Sequence, residues 1–162
     1  DTVGQNQQQG GTQSPTRGLL FGGSPRNDET IEFFTTASTG NSQDFGDLQV
    51  LGESLMGCCL SSPVRAIVGG GDHPDPQQRI EFVTIATKGN STDFGNMTTA
   101  RNQQYSNSDS IRGVFSGGET PSTVDSMEYI QIMSAGNGVD FGDLTSAKKN
   151  GFDAMSTSHG GL

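Results

Sequence analysis

The side chains able to do chemistry are few, and most recur at a fixed interval. Asp44-Phe45-Gly46, Asp93-Phe94-Gly95 and Asp140-Phe141-Gly142 repeat a tripeptide whose aspartate elsewhere holds Mg²⁺ during phosphoryl transfer. No Gly-rich nucleotide loop, Val-Ala-Ile-Lys-like strand or His-Arg-Asp loop accompanies it, so that chemistry is not expected. The acidic corner residues Asp44, Asp47, Asp93, Asp140 and Asp143 would hold Ca²⁺ only if about 6–8 oxygens converged. Two carboxylates per corner are too few, and their expected role is to accept backbone N–H bonds in a turn or to pair with a repeated arginine. The two histidines, His73 and His159, have no metal-ligand spacing, and no metal or other cofactor is expected. Cys58 and Cys59 lie in an apolar phrase, Leu55 to Leu60, where two buried reduced thiols are expected and a strained vicinal disulfide is the alternative. A Gly-x-Ser-x-Gly elbow is missing, so no catalytic residue is assigned and the chain is read as a non-enzyme. Asn90-Ser91-Thr92 and Asn96-Met97-Thr98 match the N-glycosylation acceptor pattern, a weak signal in a chain this rich in Asn, Ser and Thr.

At 162 residues the chain suits one domain, burying roughly 68–70% of the surface that its unfolded form exposes. Hydrophobic residues make up 30%, Gly contributes 24 positions and Trp none, a mixture suited to turns and short strands. Charged residues at 17% are too sparse to keep a chain solvated and disordered, so a folded protein is expected. The net charge of -9 repels phosphate backbones, and no apolar run approaches the roughly 18–20 residues of a membrane span. Neither nucleic acid nor a membrane is an expected partner. Residues 1–16 show neither the basic start nor the apolar stretch of a signal peptide. A chain beginning at Asp1 is expected to be a processed product, a fragment or one whose ends were lost.

The chemically capable residues sit inside a repeat. Arg17-Gly-Leu-Leu-Phe-Gly-Gly23, Arg65-Ala-Ile-Val-Gly-Gly-Gly71 and Arg112-Gly-Val-Phe-Ser-Gly-Gly118 begin 48 and 47 residues apart. Ile31-Glu-Phe-Phe-Thr-Thr36, Ile80-Glu-Phe-Val-Thr-Ile85 and Met127-Glu-Tyr-Ile-Gln-Ile132 follow them in the same order. Gly40-Asn41, Gly89-Asn90 and Gly136-Asn137 then lead to the three Asp-Phe-Gly phrases. The Arg-led run, short, apolar and closed by a Gly pair, reads as an inner buried strand. The Ile-Glu-Phe phrase alternates as a strand with one wetter face, which would carry Glu32, Glu81 and Glu128. Asp-Phe-Gly reads as a short strand or tight corner whose Phe45, Phe94 or Phe141 anchors the core. The polar segments that begin at Ala100 and Ala147 run on to the next arginine position and read as a fourth, outer or linking strand. Apolar spacing for a long helix is absent. Arg17, Arg65 and Arg112 are expected to act as clamps, with Asp44, Asp93 and Asp140 as structural counterparts, because a guanidinium can tie two strands through several donors.

These phrases and their period resemble kelch-type repeats, whose unit is a four-stranded propeller blade. The usual kelch Trp is replaced by Phe45, Phe94 and Phe141. The combined wording over residues 17 to 148 looks closer to repeats in virion appendage and tail-fibre proteins of tailed bacteriophages, cyanophages among them. The resemblance implies an all-β, kelch-like β-propeller segment of three four-stranded units and an extracellular or virion-borne structural or adhesion protein. The units are placed at 17–64, 65–111 and 112–158, with 1–16 a polar lead-in strand or arm and 159–162 the first strand of a fourth.

Three units fall short of the six or seven blades common in kelch-like rings, since six would need roughly 288 residues. A longer chain, a ring completed by further chains and a head-to-tail polymer are the alternatives, and open strand edges favour a homo-oligomeric partner or other copies of the repeat. Two functions follow: a structural assembly protein, or an adhesin binding surface glycans through the loops after the Gly pairs. Those loops carry Arg26, Asn27, Asp28, Asp72, His73, Asp75, Glu119 and Asp125 and vary between units while the strands agree. They hold no aromatic residue for sugar stacking, which favours the structural reading.

Overall fold

The computed structural model describes residues 10–22, 29–49, 59–71, 75–150 and 154–156, and among these there is no helix. The strands β1 (Gly10–Gln13), β2 (Arg17–Phe21), β3 (Thr30–Thr35) and β4 (Gln43–Asp47) pair antiparallel in chain order. The same sheet recurs as β5 (Cys59–Ser61), β6 (Arg65–Gly69), β7 (Arg79–Thr84) and β8 (Thr92–Asn96). It recurs again as β9 (Tyr105–Ser108), β10 (Arg112–Ser116), β13 (Ser126–Gln131) and β14 (Val139–Asp143), with a small hairpin of β11 (Glu119–Thr120) and β12 (Ser122–Thr123) inserted after β10. A last strand, β15 (Ala154–Ser156), runs parallel beside β9. The protein is thus all-β, built from three four-stranded antiparallel sheets that pack in sequence without closing.

One boundary moves. The polar strand before each repeated arginine opens the following sheet, as the pairing of β5 with β6 and of β9 with β10 shows, so the sheets begin one strand earlier than 17–64, 65–111 and 112–158. A four-residue turn enforces this. Ser14 Oγ accepts bonds from the Thr16 and Arg17 amides, and Ser62 Oγ does the same for Val64 and Arg65. Asp109 Oδ1 replaces the hydroxyl in the third unit, accepting from Ile111 at 2.7 Å and Arg112 at 2.6 Å. The main chain closes each turn, from Ser14, Ser62 and Asp109 to the carbonyls of Arg17, Arg65 and Arg112. Pro15 and Pro63 follow the capping serines, where a fixed φ favours such a turn.

Side chains alternate across each strand, so the middle sheet contributes to two separate cores. Ala66, Val68, Val83 and Ile85 face the first sheet and meet Leu19, Phe21, Ile31, Phe33, Phe45 and Leu48. Ile67, Ile80, Phe82 and Phe94 face the third sheet and meet Phe115, Ile130 and Ile132. Fully burying each large apolar side chain contributes on the order of 1.5–3 kcal/mol. Cys59 is buried in the first core, while Cys58 lies outside the described residues.

Each third-phrase strand bends at a bulge opposite Ile31/Glu32, Ile80/Glu81 or Met127/Glu128. The bulges coincide with Gly46, Gly95 and Gly142 at φ 149°, 145° and 123°, a region costly for other residues. At Gly46 and Gly95 a second constraint applies, because a Cβ would fall on the backbone of Gly89 or the carbonyl of Gly136 in the next unit. Gly142 has open space instead.

Two outcomes follow from this geometry. Gly142→Ala should cost on the order of 1–3 kcal/mol through backbone conformation alone, and Gly95→Ala should cost measurably more in urea unfolding followed by circular dichroism. Equal losses would remove the close approach between units as a constraint. The backbone N–H bonds from Arg112 and Ile111 hold the Asp109 carboxyl below its ordinary value of 3.8. Its ionised form therefore stabilises the fold above that value, and the contribution is lost as pH falls through the folded pKa. A carbon-detected NMR titration should find this lowered pKa, and Asp109→Ser should keep the turn while abolishing that acid dependence.

Candidate functional site

The most elaborate chemistry in the molecule lies where one sheet meets the next. Arg17, Arg65 and Arg112 each open a strand and project onto an aromatic ring of the neighbouring strand: Phe33 at 4.9 Å, Phe82 at 4.4 Å and Tyr129 at 4.6 Å. That ring meets the third-phrase phenylalanine edge to face, with centroids 6.0 Å apart in Phe33–Phe45, Phe82–Phe94 and Tyr129–Phe141. Such aromatic pairs contribute about 0.5–1.5 kcal/mol beyond the area they bury. The guanidinium then reaches across the joint. Arg17 Nη1 donates to the Ile85 carbonyl at 2.6 Å and Arg65 Nη1 to the Ile132 carbonyl at 3.0 Å.

A loop from the following unit covers the outer strand. Gly89 and Ser91 donate to the carbonyls of Phe45 and Asp47, and Asn90 Oδ1 accepts from the Asp47 amide at 3.1 Å. In the next joint Gly136 and Gly138 donate to Phe94 and Asn96, and Asn137 Oδ1 accepts from the Asn96 amide at 3.1 Å. The repeated Gly-Asn thus satisfies polar groups that an edge strand would otherwise present to water. Of the two glycosylation-pattern asparagines, Asn90 uses its side-chain oxygen in this joint and Asn96 its amide.

The third component is a carboxylate. Glu81 Oε2 accepts from the Gln49 amide at 3.0 Å and from the Ser91 hydroxyl, while its other oxygen lies 2.9 Å from Arg79 Nε. Glu128 Oε2 accepts from the Thr98 amide at 2.7 Å, and its other oxygen pairs with Arg101 Nη2. Arg101 and Glu128 are fully buried, and Arg101 Nη1 donates to the Gly117 and Ser126 carbonyls. Sequence reasoning placed the three glutamates on a wetter face. Instead, the preceding unit covers Glu81 and Glu128, and Glu32, with no described unit before it, is exposed. Recurrence of a cation at Arg101 and Lys148 was the available signal.

Of the two roles expected for the aspartates, pairing with a repeated arginine does not occur among the described residues, whereas Asp140 takes the other by accepting a backbone N–H. Asp44, Asp93 and Asp140 are exposed, and the ion pairs among the described residues use Glu81, Glu128 and Glu119. Alternation explains this: the neighbouring Phe45 and Phe94 take the inward position, which turns the aspartate away from the arginine face. Asp140 Oδ1 accepts only the local Gly142 amide, at 3.1 Å. Phe141 also departs from its expected role as a core anchor. Phe45 and Phe94 are 2% and 3% exposed but Phe141 is 47% exposed, because no described unit follows to cover it.

Of the candidate loop residues, Asp75, Glu119 and Asp125 are among the described residues. Arg26, Asn27, Asp28, Asp72 and His73 lie outside the described residues, as does His159. Asp75 and Asp125 are exposed, and Glu119 is tied to Lys149 at 2.8 Å. No group of three or more His, Cys, Asp or Glu side chains able to hold a metal occurs among the described residues. No family model matches the chain, and no curated protein matches it.

Glu128→Ala, which strands the buried Arg101 charge, should lower stability by roughly 3–5 kcal/mol, whereas exposed Asp93→Ala should stay within about 0.5 kcal/mol. Denaturant titrations would check both, and equal losses would return the structural role to the aspartates.

Proposed function

We propose that this chain is a non-enzymatic structural protein, a kelch-like propeller segment that serves a virion appendage or extracellular fibre through self-association. One observation carries the reading: the joint between sheets occurs twice among the described residues, and each end of the described stack presents one half of a third. The third sheet leaves Arg112 and the 47% exposed Phe141 uncovered, on either side of the half-buried Tyr129. At the other end stand the exposed Glu32 and Phe34, at positions where the later units bury Glu81 with Val83 and Glu128 with Ile130. Apolar sheet faces of this kind call for cover, and in a repeat architecture a neighbouring repeat supplies it. The association runs through sheet faces as well as the open edges expected from the sequence, since the next unit's Gly-Asn loop already occupies the edges of β4 and β8. The virion or extracellular setting rests on the resemblance of the repeat wording.

Light scattering on the native protein, with the 17.0 kDa chain as the unit, tests this reading. A defined multiple or an open-ended assembly is expected, and a stable single-chain mass would overturn it.

A further inference from the structure

We infer that the third sheet of one copy receives the first sheet of a second copy, head to tail, in the register that joins the sheets within the chain. This inference rests on the self-association reading and specifies its contacts. Equivalent positions follow from shared main-chain bonds: the amides of Thr36, Ile85 and Ile132 donate to the carbonyls of Thr16, Val64 and Ile111. Arg17 binds the Ile85 carbonyl and Arg65 the Ile132 carbonyl, so Arg112 takes the Thr36 carbonyl of the second copy. Arg112 is already held over Tyr129, and no carbonyl among the described residues accepts from its guanidinium.

The other components transfer in the same way. Phe45 and Phe94 accept from Gly89 and Gly136, which assigns the Phe141 carbonyl to the Gly40 amide of the second copy. Asp47 and Asn96 donate to Asn90 and Asn137, which assigns the Asp143 amide to Asn41 Oδ1. Glu81 and Glu128 accept from Gln49 and Thr98, which assigns Glu32 of the second copy to the Thr145 amide of the first. A cleft lined by Phe34, Thr35, Ser38 and Thr39 lies beside the Gly40-Asn41 loop, where the β14 edge would enter. Each face carries one charged group of the joint, Arg112 on one and Glu32 on the other, and each meets a main-chain group across it. A second copy suits this site better than an unrelated partner because the donors and acceptors named above are present on this chain, and since β15 already pairs with the inner edge of β9, the second copy engages through the β2–β4 side of its first sheet. Contacts of this head-to-tail kind close into a ring or continue as a filament, depending on the rotation between sheets.

The test disables one half-joint per variant. Phe141→Asp removes the receiving face and Phe34→Asp the entering face, both at exposed rings, with circular dichroism to check folding. By sedimentation, each variant alone is expected at single-chain mass, and an equimolar mixture at twice that mass and no higher, since one intact joint remains. As gentler probes, Arg112→Ala and Glu32→Gln should each weaken association of the full chain, Arg112→Ala by about tenfold or more. Assembly of all four variants at wild-type strength would overturn the inference while leaving self-association standing. A mixture that stays at single-chain mass while wild type assembles would also overturn it, by pointing to a symmetric contact. A wild-type chain that never exceeds single-chain mass would defeat the self-association reading itself.

Discussion

A β-sheet whose strands carry apolar residues on both faces has to be covered twice, and most of this structure follows from that requirement. The middle sheet meets it fully, with Ala66 and Val68 buried on one side and Ile67 on the other. Hydrophobic burial is non-directional, however, and alone would leave the sheets free to slide or turn over one another. Direction comes from the groups around each core. The arginine on its aromatic ring, the Gly-Asn loop on the outer strand and the covered glutamate bind main-chain atoms at fixed places, so each joint has one register.

Buried charge is used sparingly and with partners. Arg101 and Glu128 leave water together, and neighbouring carbonyls and an amide take up further hydrogen-bonding capacity on both groups. A pair of this kind adds little net stability compared with apolar residues of similar volume, but loss of one partner is severe. The contrast between buried Glu128 and exposed Glu32 shows how far environment, rather than residue type, decides the state of equivalent positions.

Much of the architecture was legible in the residues because its signals are local. Alternating apolar positions, Gly pairs and a period of about 48 residues identify strands, turns and units without knowledge of their packing. The strand before each arginine was legible in existence but not in allegiance. Its polar composition has no periodic signal, and the Ser-Pro turn that ties it to the next sheet was the better guide. The joints were only partly legible. Arginine recurrence marked Arg17 and Arg65, yet their acceptors are carbonyls 68 and 67 residues away, a separation that only the register between sheets can define. Phe141 matches Phe45 and Phe94 in its phrase but not in its surroundings, and a repeat pattern carries no information about which unit's face is covered.

The arginine joint has a consequence for how such a protein can change over time. Its acceptor is a main-chain carbonyl, and the residue that offers it is Ile85 in one joint and Ile132 in the next, with Thr36 at the matching place in the first unit. Since a carbonyl is common to every amino acid, substitutions at the accepting position leave the hydrogen bond available, and the donor side alone is under chemical constraint. Duplication, loss or exchange of a whole unit then preserves the coupling at both new neighbours. Stack length can therefore evolve separately from joint chemistry, by recombination in register rather than by coordinated point mutation.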